Sequence, residues 1–160
     1  MQELKFKEDE ILVSKTDTKG RITYGNGLFL KLAGYSEKEL LGAPHSIIRH
    51  PEMPKIVFKL LWETLHKGKE IYAYVLNRAK NGDYYWVFAN VTPSYDTSGN
   101  VIGYYSVRRK PSKKALDIIK PLYQQLLNAE KSGGMAASEK IFLDLLAKNG
   151  GRYDKFILSI

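Results

Sequence analysis

The chain has 160 residues, 44% of them hydrophobic and 26% charged, with a formal net charge of +8, which suits one domain with an appendage. It has no cysteine, and this excludes disulfides, thiolate zinc sites and cysteinyl-flavin photochemistry. Its longest apolar runs fall far short of the ~20 residues of a membrane helix, and its start, MQELKFKEDE, has no apolar stretch to act as a signal peptide, so a cytoplasmic chain is expected.

In chain order, residues 1–10 read as an N-terminal cap segment. Ile11 to Thr16 mixes apolar and polar residues as a strand does. Asp17 to Gly20 is a turn with glycine last, and Arg21 to Tyr24 completes a hairpin. Asn26 then caps a short helix, Gly27 to Ala33, stopped by Gly34. Ser36-Glu-Lys-Glu39 is a capping box ahead of Leu40 and Leu41, closed by Gly42. Pro54 occupies the place of a first-turn proline. The helix after it, Lys55 to His66, carries Ile56, Val57, Leu60, Leu61, Thr64 and Leu65 on one face and ends at Gly68.

Three strands follow: Glu70 to Ala79, Asp83 to Thr92 and Val101 to Lys110. Asn81-Gly82 is a strong hairpin signal between the first two. Two strands, short helices, a long helix and three strands predict an α+β domain. Its five-stranded antiparallel sheet has the helices on one face. On the strand from Glu70, Ile71, Ala73, Val75 and Asn77 share one face, and Tyr72, Tyr74 and Leu76 share the other. Both faces are apolar, unlike a sheet with one solvated side. One cover is the helical layer with a cavity beneath it. The other is a terminal helix or another protein.

Residues 112–160 read as a helical C-terminal extension. Leu116, Ile119, Tyr123, Leu126 and Leu127 recur near helical spacing. A kink or fresh start is expected at Pro121, a break at Ser132-Gly-Gly134, and a further helix from Ala136 to Lys148. The apolar finish, YDKFILSI, is expected to dock. The positive charge is spread along the chain. Only Arg108, Arg109, Lys110, Lys113 and Lys114 form a dense run, read as a solvated strand end rather than a nucleic-acid site.

Two blocks carry the functional signal. HSIIRHPEMP, His45 to Pro54, puts the adjacent cations Arg49 and His50 at a helix–loop junction with apolar flanks, an arrangement that suits an anionic or polar ring-bearing ligand. NGDYYWVFANVTP, Asn81 to Pro93, is a hairpin turn and a central strand. In this order and spacing they resemble the PAS domains of aerotaxis and energy-taxis receptors, over Thr16 to Ser112. The resemblance implies a PAS fold over 11–111, bound FAD, and a redox report to a chemotaxis partner.

It also implies site residues. Arg49 and His50 match positions needed for FAD binding, and Asn26 matches a position tied to flavin, although it also suits an N-cap. Glu52 stands where the family often has Asp and is expected to orient Arg49 through a charge-assisted bond. Met53 and Phe58 are pocket-lining or core residues. Asn77 shares the cavity face and, as a buried amide, must find a partner, for which a flavin ring edge is suitable. At Ile71 the flavin-binding members often have Trp, so the aromatic stacking contribution is lost here.

Haem is the alternative cofactor, with an axial ligand to be drawn from His45, His50 or His66. A cofactor-free docking module is a third reading. No catalytic motif or metal-ligand cluster is present, so an enzyme is not expected. The chain looks like the soluble half of a two-protein receptor, and Met1 with the apolar finish suits a whole protein. A membrane chemoreceptor with a HAMP region is the expected partner and would bring the chain to the inner membrane. A homodimer through the sheet or terminal helices is a further expectation, and nucleic acid is not.

Overall fold

The computed structural model describes all residues, Met1–Ile160. Five strands form one antiparallel sheet in the order β2-β1-β5-β4-β3: β1 Leu12–Thr16, β2 Ile22–Gly25, β3 Ile71–Arg78, β4 Tyr84–Tyr95 and β5 Val101–Arg109. Helices α1 Gly27–Ala33, α2 Glu37–Leu40 and α3 Lys55–His66 connect β2 to β3, with a single 3-10 turn at His45–Ile48. The expected five-stranded α+β architecture is the one found.

Local signals explain the helix ends. The Asn26 side chain accepts from the Phe29 N–H, and Gly34 closes α1 in the left-handed region at φ 73, which glycine enters without a Cβ clash. Ser36 and Glu39 form the reciprocal capping box of α2. α3 begins directly after Pro54 and has no side-chain cap of its own.

The sheet is covered on its inner face and, over β3 and β4, on its outer face, where Lys15, Tyr24 and Arg109 of the other strands stay exposed. On the inner face Leu12, Val87 and Ala89 meet Phe29, Leu40, Ile48 and Val57 in the main core. On the outer face the C-terminal extension covers β3 and β4. Its helices are α4, Lys113–Lys148, and α5, Tyr153–Leu158. The Tyr123 hydroxyl donates to the Tyr74 carbonyl at 2.6 Å, and its ring lies 5.9 Å from that of Trp86. The Tyr153 hydroxyl donates to the Tyr72 carbonyl at 2.7 Å. Phe156 and Ile157 join the same core, so the apolar finish is docked. A terminal helix, rather than another protein, covers this part of the sheet.

The break expected at Ser132-Gly-Gly134 is found, and no break occurs at Pro121. α4 continues through it, and the non-helical residue is Gly134, at φ 71 and ψ -170. Pro121 and Asp117 are both exposed, so water can take the bond of the Asp117 carbonyl that the proline leaves without an intrahelical donor. Gly134 instead turns the chain toward α3, where Glu139 pairs with Lys59 at 2.6 Å. No helix is long and apolar enough to cross a membrane.

Candidate functional site

A cavity of about 350 Å³ lies between the inner face of the sheet and the layer formed by the 3-10 turn and α3. That is within the size range of small-molecule sites. Its walls are apolar where α3 and the sheet meet: Ile48, Phe58, Leu61, Leu65, Val75 and Val91. Its polar residues gather at the β1/β5 end and near the mouth. Lys19, Arg49 and Arg108 line it, and no carboxylate does.

At the inner end Arg108 is 2% exposed and Ser14 is fully buried. The Arg108 guanidinium donates through Nε to Ser106 Oγ at 3.1 Å and through Nη2 to Ser14 Oγ, and its centre lies 4.8 Å over the Phe29 ring. Ser14 Oγ is 2.9 Å from His45 Nε2. Arg108 Nη2 also lies 3.4 Å from His45 Nε2, and because a guanidinium can only donate, the arrangement favours an accepting Nε2 that takes the Ser14 proton in its hydrogen bond. Burial, with the Arg108 charge adding to it, pushes the imidazole down to about 3, so it is neutral near pH 7. Burial also draws Arg108 down to about 10, and it stays charged.

Four buried side-chain polar atoms have no hydrogen-bond partner: Thr16 Oγ1, Asn77 Nδ2, Tyr85 OH and Arg108 Nη1. Three of these residues, Thr16, Asn77 and Arg108, line the cavity. Buried polar groups are paired in almost all cases, so orphaned atoms on three residues around one cavity call for a partner, and a ligand or ordered water in the cavity would supply one.

The residues expected to form the site divide into two groups. Arg49, Phe58 and Asn77 line the cavity together. The Arg49 guanidinium lies 3.7 Å over the Phe58 ring, and its backbone bridges to Asn77. Burial lowers the Arg49 pKa, opposed by the charge of Glu130.

Asn26, His50, Glu52, Met53 and Ile71 are not cavity residues. Asn26 has its amide engaged in the protein, accepting from Val13 and Phe29 and donating to the Ile11 carbonyl. His50 faces the outer side of β3, where Nδ1 accepts from the Glu52 N–H at 3.0 Å and its ring edge meets Tyr84. Glu52 forms no ion pair with Arg49, contrary to expectation. The guanidinium is instead drawn inward onto Phe58. Met53 is 2% exposed, and its sulfur accepts from the Leu76 N–H at 3.2 Å. Ile71 does not itself line the cavity but packs behind its wall, in a cluster with the lining residues Leu61, Leu65 and Tyr104, because the C-terminal half of α3 covers that end of β3.

Arg108 corrects a second expectation. Arg109, Lys110, Lys113 and Lys114 are exposed, but Arg108 is not part of a solvated strand end. The signal that could have found it is alternation: Tyr104, Ser106 and Arg108 share one strand face, and all three line the cavity. His45 was legible only as a haem ligand, and its Nε2 is engaged by Ser14. His50, the other histidine of the HSIIRHPEMP block, lies outside the cavity. His66 is at the far end of α3, its ring 5.8 Å from that of Trp62.

An isoalloxazine ring fits these walls in kind. It is flat and apolar across its faces, and its polar edge carries acceptors of the kind that Asn77 or Arg108 could pair. Lys19 and Arg49 suit phosphates.

Comparison with known proteins agrees with this architecture. The aerotaxis receptor of Escherichia coli (strain K12) is 38% identical over 149 residues, which cover 93% of this chain and 28% of the receptor. The nitrogen fixation regulatory protein of Klebsiella pneumoniae is 26% identical over 64% of the chain and 21% of that protein. The chain thus spans under a third of either relative. Among solved structures, the light state of the blue-light photoreceptor Aureochrome1 LOV aligns with a TM-score of 0.62 and 25% identity, over 69% of this chain and 88% of that one. Residues 22–108 match the family described as PAS fold. With its sheet order, its cavity under the helical layer and this match over more than half its length, the chain belongs to the PAS fold family.

Proposed function

We propose that this chain is the redox-sensing part of an energy-taxis receptor and holds FAD in the cavity beneath α3. The observation that carries the reading is the lining: three cations, no carboxylate, and orphaned polar atoms on Thr16, Asn77 and Arg108. A neutral apolar ligand would leave those groups unpaired, whereas a ring with a polar edge and a phosphate chain answers them. The kinship with a protein called an aerotaxis receptor and the likeness to a photoreceptor domain point the same way. FAD supplies reversible electron transfer, and the protein supplies position and electrostatics.

The residues suggest how a change at the ring would travel. Asn77 touches the cavity with its side chain and the Arg49 backbone with its own. Arg49 lies in the segment that leads from the 3-10 turn to α3, and α3 is tied to the extension through Glu130 and Glu139. A ligand state that alters the hydrogen bonding of Asn77 is therefore two contacts from α4. It shifts the equilibrium only so far as it binds the two arrangements differently. The output partner in this reading is a membrane chemoreceptor with a HAMP region, met at the cytoplasmic side of the inner membrane. Pairing of two copies through the sheet or terminal helices belongs to the same reading. Nucleic acid has no place in it, and neither does catalysis.

The test is the visible absorption of freshly purified protein, before and after dithionite. The two-band flavin spectrum, bleached by reduction and lost in Asn77→Leu and Arg49→Ala, is the expected result. A protein that stays colourless after incubation with FAD would overturn the reading and leave a docking module. A single sharp violet band would mean haem.

A further inference from the structure

We propose that Arg108 is the anion anchor of the cavity, and that it makes the site bind reduced, anionic flavin more tightly than oxidised, neutral flavin. This rests on the flavin reading above and goes beyond it by naming the ligand state that the site selects.

The argument begins with an uncompensated charge. Arg108 is 2% exposed and forms no salt bridge. A buried cation left unpaired costs several kcal/mol. Its neighbours come from every element packed around it: Ser14 on β1, Phe29 on α1, His45 in the 3-10 turn and Ser106 on β5. None of them is anionic. Tyr85 on β4, close enough to feel the Arg108 charge, is held as a neutral phenol because burial raises it to about 12. The two serines fix the guanidinium in one orientation and satisfy Nε and Nη2, which leaves Nη1 without a partner. The protein has built a rigid, charged donor and supplied no counter-charge for it. The cavity is the side from which that charge can come.

The oxidised ring is neutral and can offer Arg108 only acceptor dipoles. Two electrons from a low-potential donor and one proton from solvent convert it to the reduced anion. The proton goes to the central ring nitrogen, and the remaining negative charge rests on the pyrimidine edge. With that edge toward Arg108, the pair would be charge-assisted, stronger than a neutral hydrogen bond and little screened inside the protein. By linkage, tighter binding of the reduced form raises the midpoint potential above that of free FAD.

The experiment is a dithionite titration of the FAD-loaded chain against reference dyes, beside free FAD at the same pH. We expect the bound potential to lie above the free one. Arg108→Gln should lower the reduced-over-oxidised affinity ratio at least tenfold, which is about 30 mV for two electrons. Arg108→Lys should retain most of the wild-type potential. A merely structural arginine would weaken both redox forms alike and leave the potential unchanged, and that outcome overturns the proposal. So does a wild-type potential at or below that of free FAD, which decides the matter even if the Gln variant fails to fold. Failure of the wild-type chain to take up FAD at all would instead remove the flavin reading itself, and this proposal with it.

Discussion

Glu130 accepts the backbone N–H of Lys55 at 2.8 Å and that of Ile56 at 3.2 Å, so a carboxylate of the C-terminal extension caps the helix that roofs the cavity. α3 starts at Pro54 and carries no capping side chain of its own. The cap arrives from 75 residues away and is itself held by Ser138 Oγ, which donates to it at 2.8 Å. An anion there satisfies orphan N–H groups and complements the helix dipole.

Glu130→Ala should therefore destabilise the chain by about 1 kcal/mol, the usual worth of a lost cap. It should also loosen α4 from α3 more than it loosens the sheet. Urea unfolding gives the first quantity. Amide exchange gives the second, with protection falling at the start of α3 and along α4 while β4 and β5 keep theirs. Equal loss across the whole chain would mean that Glu130 is not a local tie.

His45 makes stability depend on pH in a definite direction. Burial lowers the imidazole from 6.5 to about 3 in the folded chain. Between those values the unfolded chain holds a proton that the folded chain lacks, so stability falls as pH falls below about 6.5. The slope is at most about 1.4 kcal/mol per pH unit. His50, also lowered by burial, adds a smaller slope of the same sign. The exposed carboxylates that hydrogen bonds depress, Asp17 and Glu39 among them, lose their contribution only at lower pH. Unfolding measured at several pH values from 7 to 5 should show the decline, and His45→Gln should flatten it.

Gly103 sits where β5 crosses β1. A Cβ there would overlap the backbone carbonyl oxygen of Thr16, which cannot move without breaking the pairing of Thr16 with Tyr104. Gly103→Ala should cost about 2 kcal/mol or more, as overpacking against fixed atoms does. Gly27→Ala is the control. At the start of α1 a Cβ meets nothing within 4 Å, and the change should be neutral or stabilising by a few tenths of a kcal/mol. Denaturant midpoints of the two variants should lie on opposite sides of, or one at and one below, the parent value.

The fold was legible because its signals are local. The Ser36 capping box, Gly34 in the left-handed region and the alternation along β3 each act within a few residues. The block from His45 to Pro54 also identified the neighbourhood of the site. It did not separate Arg49 from His50, because adjacent residues in extended backbone point to opposite sides, and β3 passes between them. Glu130 and Arg108 were not legible as they stand. Glu130 meets Lys55 and Ile56 only through the tertiary packing of α4 against α3. Arg108 lies in a run of basic residues whose average character hides the one that faces inward. Pro121 misled for the opposite reason: its local rule is sound, but the lost hydrogen bond falls on the solvent side.

The tyrosine hydroxyls on β3 have a consequence beyond fixing the extension. β3 is an outer strand of the sheet, and its free side is occupied at every second residue: Tyr72 by Tyr153, Tyr74 by Tyr123, and Leu76 by His50 and Met53. An open edge of that length is a template for a strand from another molecule. The tyrosine side chains of the extension close it at Tyr72 and Tyr74, and the His50–Met53 segment closes it at Leu76. A signalling state that lifts α4 would uncover this edge as well as an aromatic face. The same helix that carries the message would then be what keeps the domain from self-association.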